Sequence, residues 1–174
     1  MVAPADMGLD LRVEESGDTY AENARAKAFA AAELSGLVSL ADDSGLEIEA
    51  LGGEPGVHSA RFLGPDASYA ERFAEIERRL AGLSPEKRAA RFVCVIAIAE
   101  PKSGRLRTAE GEVRGLITAE PRGVGGFGYD PIFWIPQHSA TMAELPEHVK
   151  AIISHRARAC ASARQILKEL LFEH

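Results

Sequence analysis

RFVCVIAIA, residues 91–99, is the best candidate in this sequence for a central β-strand. Residues 92–98 are continuously apolar, which is the pattern of a strand buried on both faces of a sheet. Residues 101–104 predict a turn, and residues 106–117 mix polar and apolar side chains, as a hairpin partner with one solvated face does. We therefore expect the core to form around residues 91–99.

Helices are predicted on both sides of this strand. Residues 19–35 are mostly strong helix formers, with Asp18 or Thr19 as a cap and Gly36 just past the end. Residues 68–71 have the capping-box pattern, and apolar residues recur at helical spacing as far as residue 80. The sequence from residue 146 onward is again helical. Its apolar stripe, expected to pack on the sheet, consists of Ala159, Ala163, Ile166, Leu167 and Leu170.

Shorter strands and loops fill the remaining sequence. Residues 37–41 and 46–49 predict two strands joined by a turn at residues 42–45. Residues 51–66 are rich in glycine and proline, which predicts a loop, and a glycine-rich loop at residues 123–128 precedes an apolar strand at residues 132–135.

The composition indicates one folded domain, residues 1–174. Hydrophobic residues make up 46% and charged residues 26% of the chain, which is ordinary for a globular protein. The net charge of −6 gives no overall attraction for nucleic acid, although a free nucleotide chelated to a metal is compatible with it. The sequence contains neither a membrane-spanning segment nor a secretion signal pattern, so we expect no membrane partner.

The chain has two cysteines, Cys94 in the apolar run and Cys160 in a helical one. They do not form a metal-ligand spacing, and we expect buried thiols rather than a disulfide. This usage fits a reducing, cytoplasmic setting.

The run Ala41-Asp42-Asp43-Ser44-Gly45-Leu46 places two adjacent carboxylates, a hydroxyl and a glycine after an apolar stretch. Mg²⁺ prefers oxygen ligands and commonly takes one or two protein carboxylates together with substrate phosphates, so this cluster suits phosphate chemistry. Asp, Ser and Gly are also ordinary turn formers, so a solvated turn is the alternative.

Glu22 lies in the first turn of the first predicted helix. A fold that brings this helix start to Asp42 and Asp43 creates an acidic cluster, and a divalent cation removes the repulsion within it. Compensation of the helix dipole is the alternative use of Glu22. For Lys27, on the same predicted helix, the alternative to a place near this cluster is a solvated helix face.

Phe127 is flanked by glycines, so a planar base is able to stack on its ring, although a place in the core is the alternative. Ser154 is a natural cap for the last helix. Arg156 is suited to donate two hydrogen bonds to the O6 and N7 edge of a purine, and a surface ion pair is its alternative.

Five segments in this order resemble the inosine triphosphate pyrophosphatase family, also called the Ham1 or non-canonical purine NTP pyrophosphatase family. The resemblance covers residues 18–171. It implies an α/β fold around an elongated mixed β-sheet flanked by helices, a homodimer, and Mg²⁺-dependent hydrolysis of ITP, dITP and XTP to the monophosphate and pyrophosphate. The segments are Glu22-Asn23-Ala24, Ala41-Asp42-Asp43-Ser44-Gly45-Leu46, Leu51-Gly52-Gly53-Glu54-Pro55-Gly56-Val57 with Ser59-Ala60-Arg61, Gly125-Gly126-Phe127-Gly128-Tyr129-Asp130-Pro131-Ile132-Phe133 and Ser154-His155-Arg156.

The resemblance also implies a role for each matched residue. Asp43 is the base that activates water and, with Glu22, holds the metal, while Asp42 supports the cluster and Ser44 touches substrate. Lys150 contacts the nucleotide, and the 6-keto group of the purine is read by two residues of the last helix. Those two residues are His155 and Arg156, and the base pocket is lined by Phe127, Gly128, Tyr129 and Asp130.

Two departures from the family pattern stand out. Family members begin with a strand, a Thr/Ser-Gly-Asn-x-x-Lys loop that grips the triphosphate and a helix, whereas this sequence starts beyond them. The resemblance therefore implies either a shortened product of a longer gene or a folded, catalytically impaired homologue that still binds nucleotides. His58 stands where the family usually has Tyr. The Maf-like nucleotide pyrophosphatases are a third, weaker match, which the Phe-Gly-Tyr-Asp and Ser-His-Arg segments disfavour.

Overall fold

The structure, a computed structural model, describes the backbone of residues 1–172 and the side chains of residues 1–170. In this part of the chain the helices are α1 (Tyr20–Ser35), α2 (Tyr69–Leu80), α3 (Glu147–Ile153) and α4 (His155–Phe172). The strands are β1 (Ser39–Ile48), β2 (Ala89–Ala99), β3 (Leu106–Ile117), β4 (Phe133–Ile135) and β5 (Ala140–Thr141).

The described strands form one sheet in the order β1-β2-β3-β4-β5. β4 pairs antiparallel with both β3 and β5. β1 runs opposite to β2, because Glu47 pairs with Arg91 whereas the earlier Asp42 lies beside the later Cys94. The predicted α/β architecture of a sheet flanked by helices is confirmed, and the sheet is antiparallel in this part of the chain, where the resemblance implied a mixed one.

The turn predicted at residues 42–45 is wrong, because β1 continues through it. Asp, Ser and Gly favour turns when solvent satisfies their polar groups. Here Asp43 is buried and receives hydrogen bonds from Asn23 and Lys27 of α1, and the Asp42 carboxylate accepts one from Ser44. These partners stabilise the extended backbone, so tertiary contacts override the local preference.

The helix starts are confirmed, because both capping boxes form. Thr19 Oγ1 accepts a hydrogen bond from the Glu22 amide at the start of α1, and the Glu22 carboxylate accepts one from the Thr19 amide. Ser68 and Glu71 make the same reciprocal pair at the start of α2. Each box satisfies two amides that the first helical turn leaves without a partner.

The fold separates into two compact units. The first comprises Met1–Ser44, Cys94–Gly111 and α4 from Arg158 onward, and the second comprises Gly45–Val93 and Glu112–Ala157. The expectation of a single domain stays a prediction. Within the described residues, no helix is both long and apolar enough to cross a membrane.

Each unit has its own hydrophobic core. In the first, the predicted stripe of α4 is confirmed, because Ala159 and Ala163 are buried in one cluster with the β2 residues Cys94, Ile96 and Ile98. In the second, Leu46 and Ile48 of β1 pack in one cluster with Ile76 and Leu80 of α2 and Phe133 of β4. β2 is buried along most of its length, as its apolar run predicted.

Both cysteines are free thiols. Cys94 is buried, as expected, but the expectation of burial is wrong for Cys160, which is exposed. Its neighbour Ala159 occupies the buried stripe of α4, and the next residue along a helix is rotated away from that face.

Candidate active site

Asp43 lies on β1 in the first unit, and its carboxylate is held by two side chains of α1. Lys27 Nζ lies 3.0 Å from Asp43 Oδ1, and Asn23 Nδ2 donates to Asp43 Oδ2 over 3.1 Å. Asn23 and Lys27 are four residues apart, so they lie on the same face of the helix. These two partners fix the orientation of the Asp43 side chain. Only 9% of the residue is exposed.

Lys27 also binds a second carboxylate, that of Glu15. Its Nζ lies 2.7 Å from Glu15 Oε1. Burial acts to lower the pKa of Lys27, but the hydrogen bonds to Glu15 and Asp43 outweigh it and raise the pKa above its ordinary value. Two carboxylates thus converge on one ammonium group, and we call Glu15, Lys27 and Asp43 the acidic cluster.

Asp42 and Ser44 flank Asp43 on β1, and side chains alternate between the faces of a strand. Ser44 Oγ donates to Asp42 Oδ2 over 3.1 Å, and the Cys94 thiol lies 3.8 Å from the same oxygen. These two predicted site residues therefore contact each other and Cys94, on the opposite face of β1 from Asp43.

Glu22, the predicted metal ligand, uses its carboxylate at the start of α1. Glu22 Oε2 accepts hydrogen bonds from the amides of Asp18, at 2.8 Å, and Thr19, at 3.0 Å. This geometry matches the alternative that the sequence left open for Glu22, a role at the helix N-terminus. The acid that shares a partner with Asp43 is Glu15.

The acidic cluster has a donor set that suits a substrate-bound divalent cation. Among the described residues, no group of three or more His, Cys, Asp or Glu side chains is arranged to hold a metal by itself. Glu15 and Asp43 offer two neighbouring carboxylates, and Mg²⁺ is commonly bound by one or two carboxylates together with phosphate oxygens and water. The residues present therefore fit a cation that arrives with a phosphate ligand.

Phe127 is the exposed centre of the predicted base pocket in the second unit. Its side chain belongs to the glycine-rich segment Gly125-Gly126-Phe127-Gly128, called the aromatic loop below, and 62% of the residue is exposed. The guanidinium of Arg156 lies over the ring, with its Cζ 4.8 Å from the ring centroid. A flat cation thus stacks on the Phe127 ring. Because the residue is mostly exposed, Phe127 is not part of the hydrophobic core.

Asp130 and Lys150 lie beneath the aromatic loop. Asp130 Oδ2 accepts a hydrogen bond from the Phe127 amide over 3.3 Å, which fixes the loop. Burial raises the pKa of the Asp130 carboxyl, and the Phe127 amide and the cations of Lys150 and Arg156 offset only part of this shift. Lys150 is itself buried, with Nζ 3.3 Å from Glu147 Oε2.

Tyr129 and His155 are also buried. The Tyr129 hydroxyl donates to the Ser59 carbonyl over 2.9 Å, and burial raises the pKa of this hydroxyl. The His155 ring stacks on Phe92, with ring centroids 4.8 Å apart. Ser154 caps α4 as predicted, because its Oγ accepts a hydrogen bond from the Ala157 amide.

The sequence model of the Ham1 family matches residues 2–166 of this chain. The chain belongs to the Ham1 family. The resemblance inferred from the five sequence segments is therefore confirmed, and both the acidic cluster and the aromatic loop fall within the matched residues.

Individual members of the Ham1 family are closely similar to this chain. A dITP/XTP pyrophosphatase from Desulforamulus reducens is 52% identical over 158 residues, which cover 91% of this chain and 78% of that protein. The structure of a HAM1 protein from Coxiella burnetii matches with a TM-score of 0.84 and 45% identity, covering 90% of this chain and 80% of that one. The Staphylococcus aureus Ham1 protein matches with a TM-score of 0.88 and 39% identity, covering 97% and 86%.

Sequence reasoning missed the part that Glu15 and Lys27 play in this Ham1-family site. Lys27 carried a signal, since it lies four residues after Asn23 on an otherwise alanine-rich helix, and such spacing predicts a shared polar face. Glu15 carried none, because it lies outside every helix and strand and is brought to Lys27 by the path of the chain before α1.

Proposed function

We propose that this chain hydrolyses non-canonical purine nucleoside triphosphates, namely dITP, ITP, XTP and dXTP, to the monophosphate and pyrophosphate. The 52% identity with a dITP/XTP pyrophosphatase over most of both chains carries this proposal. Such an enzyme removes deaminated purines from the nucleotide pool. The acidic cluster supports the phosphate chemistry, and the aromatic loop supports recognition of the base.

The purine stacks on Phe127, whose exposed ring is the feature that supports this role. In the structure the guanidinium of Arg156 covers that ring, so a stacking base takes the place of the guanidinium on the ring and lies beside Arg156. An arginine donates well to the O6 and N7 acceptors of a 6-keto purine, whereas adenine presents an amino group at position 6. Together with His155, Arg156 thus favours hypoxanthine and xanthine over adenine.

Glu15 and Asp43 are the carboxylates that would hold the divalent cation, which we propose to be Mg²⁺. When bound, the cation supplies charge neutralisation for the triphosphate. Once the two carboxylates are ligands, the ammonium of Lys27 is available to phosphate oxygens. The capping contacts of Glu22 make it the less suited of the two glutamates, although its role as a ligand stays a prediction from the sequence.

Asp43 acts as the base in the hydrolytic step. It accepts a proton from water while the water oxygen bonds to the α-phosphorus, and the bond from this phosphorus to the oxygen that bridges it to the β-phosphorus breaks. Pyrophosphate leaves with that bridging oxygen and its electron pair. The buried position of Asp43 and its hydrogen bond from Asn23 hold the carboxylate in place for this step.

The remaining matched residues support these two sites. The family resemblance supports a contact of Ser44 with substrate and a supporting role for Asp42, and these two side chains lie together on the face of β1 opposite Asp43. Lys150, buried beside the aromatic loop, contacts the nucleotide. Asp130 fixes the Phe127 amide, and the pocket wall is completed by Gly128 and Tyr129.

The family resemblance also supports a homodimer that acts in the cytoplasm, where nucleoside triphosphates are made and used. Light scattering tests the dimer directly, because the monomer mass is 18.7 kDa. A mass of one chain at working concentration contradicts this part of the proposal.

Pyrophosphate release from dITP and from dATP, each with Mg²⁺, tests the function. We expect turnover of dITP and much slower turnover of dATP. Equal rates contradict the substrate class. Asp43→Asn is expected to abolish turnover while thermal unfolding stays cooperative, and unchanged turnover contradicts the role given to Asp43.

Calorimetry separates this enzyme from the rival hypothesis of an impaired nucleotide-binding homologue. A protein that only holds the base and sugar binds IMP about as well as ITP. An enzyme that also grips the triphosphate binds ITP more tightly. Equal affinities together with no pyrophosphate release favour the rival.

A further inference from the structure

Tyr69 adjoins the aromatic loop without belonging to any of the five family segments. It is the first residue of α2, directly after the N-cap Ser68, so the helix start fixes its backbone. About 40% of the residue is exposed. A large aromatic side chain that is held by a capped helix yet open to solvent is placed to meet a ligand.

The ring of Tyr69 is held by aromatic and cationic neighbours. It packs edge-on against Tyr129, with ring centroids 5.3 Å apart and planes at 87°, and it contacts Phe73 at 6.0 Å. The guanidinium of Arg72 lies 4.9 Å from the ring centroid. Arg72 is buried and donates to the carbonyl of Phe62, so this cation is itself fixed.

The hydroxyl end of Tyr69 faces the aromatic loop. A Cβ atom at Gly128 would lie 3.5 Å from Tyr69 Oη and 3.8 Å from its Cζ. Gly128 has a φ of +63°, so a side chain there is strained as well as placed against Tyr69. The phenol therefore lies beside Gly128, the residue that follows exposed Phe127 in the aromatic loop.

The Tyr69 hydroxyl has no hydrogen-bond partner among the side chains and backbone groups of the described residues. By contrast, the buried hydroxyl of Tyr129 in the same aromatic group donates to the Ser59 carbonyl. A phenol can both donate and accept. Tyr69 Oη is thus a polar group available at the loop that carries Phe127.

We infer that Tyr69 is an additional substrate-binding residue, whose hydroxyl forms a hydrogen bond with the nucleoside part of the bound purine nucleotide. The inference rests on the proposed function, which supplies the ligand. Because this hydrogen bond is made equally in the bound substrate and in the transition state, its loss affects KM and leaves kcat unchanged.

Tyr69→Phe tests the inference, because it removes the hydroxyl and keeps the ring. We expect the KM for dITP and the Kd for IMP, measured by calorimetry, each to rise about 5- to 10-fold, the usual effect of one uncharged hydrogen bond. kcat and the thermal unfolding temperature should stay as in the unaltered chain. An unchanged KM and an unchanged Kd overturn the inference.

Phe73→Leu is the matched control, since Phe73 packs on the Tyr69 ring but has no polar group. It should lower the unfolding temperature and leave KM unchanged, and a KM rise equal to that of Tyr69→Phe overturns the inference in favour of packing alone. If the unaltered chain releases no pyrophosphate from dITP, the proposed function fails. The IMP titration still tests Tyr69, because weaker binding by Tyr69→Phe supports the contact, whereas no IMP binding by either chain overturns it.

Discussion

Lys27 holds two carboxylates at once, and this contact defines the acidic cluster. An ammonium shared by Glu15 and Asp43 removes the repulsion that two neighbouring acids otherwise suffer. A divalent cation held by the same two acids would remove this repulsion in the same way. Glu15 and Glu22 are therefore the two glutamates to compare as partners of Asp43 in binding the proposed cation.

Glu15→Gln and Glu22→Gln distinguish the two candidate ligands. We expect Glu15→Gln to lower kcat/KM for dITP by about 100-fold or more, since even groups that only support metal ligands contribute about 10- to 100-fold. Glu22→Gln should change little, because Gln also completes a capping box. Rates across a Mg²⁺ titration measure both effects.

The opposite ranking contradicts the assignment of Glu15 and supports the original prediction of Glu22. Thermal unfolding of both variants is the control, because neither substitution changes side-chain volume appreciably. A large loss of stability in one variant alone would explain a loss of activity without any metal.

Asp130 makes the stability of the chain depend on pH. Burial raises the pKa of its carboxyl in the folded state, so the contribution of this group is complete below the ordinary value of 3.8 and is lost as the pH rises through the folded value. Compared with Asp130→Asn, which does not titrate, the unaltered chain should lose stability over the pH range that begins at about 3.8 and extends upward from it.

Urea unfolding of both chains across this pH range measures the difference. Lys150, Arg156 and Glu147 are the charged groups that act on Asp130, and they are common to both chains. A stability difference that grows in favour of the unaltered chain with rising pH contradicts the prediction.

At the scale of elements, the close approach of β4 to β3 depends on one glycine. A Cβ atom at Gly115 of β3 would collide with the Trp134 carbonyl and lie 2.9 Å from carbons of the Phe133 ring. The adjacent register places Leu116 opposite Trp134. The missing side chain at Gly115 therefore sets the spacing between these two strands.

Gly115→Ala should destabilise the chain by about 1–3 kcal/mol, the usual cost of overpacking, because the nearest obstacle is backbone and cannot rotate away. Chemical denaturation measures this cost. An unchanged free energy of unfolding would show that β4 shifts without penalty. Turnover of dITP by the folded variant is the control, since Gly115 contacts neither the acidic cluster nor the aromatic loop.

At the scale of the whole molecule, the acidic cluster and the aromatic loop belong to different compact units. The acidic cluster lies in the unit whose core includes Cys94 and Ala159, and the aromatic loop lies in the unit whose core includes Phe133. Both units belong to a chain with a net charge of −6. This charge matters for the choice between a free nucleotide and a nucleic acid as the ligand.

We expect no binding to duplex DNA at physiological ionic strength, because a net negative chain gains nothing from counterion release. Fluorescence anisotropy with a labelled duplex measures this, and IMP serves as the positive control for a folded base pocket. Binding that weakens steeply with added salt would reveal a local basic surface and contradict the prediction.

The helices, their caps, β2 and its hairpin partner were predictable from the sequence, because each depends on local signals. Capping boxes at Thr19 and Ser68 and the apolar run of residues 91–99 specify their elements within a few residues of chain. The glycines on both sides of Phe127 were compatible with an exposed ring but did not exclude a place in the core, and the structure shows that the ring is exposed. The order of the five segments was enough to indicate the family.

Only the tertiary structure decided what β1 and the acidic residues do. Local preference made residues 42–45 a turn, but Lys27 and Asn23 of α1 satisfy Asp43 within a strand. The tertiary structure also gave the two glutamates different partners, Lys27 for Glu15 and the amides at the start of α1 for Glu22. It placed Tyr69 against Gly128, 59 positions later in the sequence. These outcomes depend on contacts between segments far apart in the chain, and no local pattern encodes which distant partner satisfies a buried polar group.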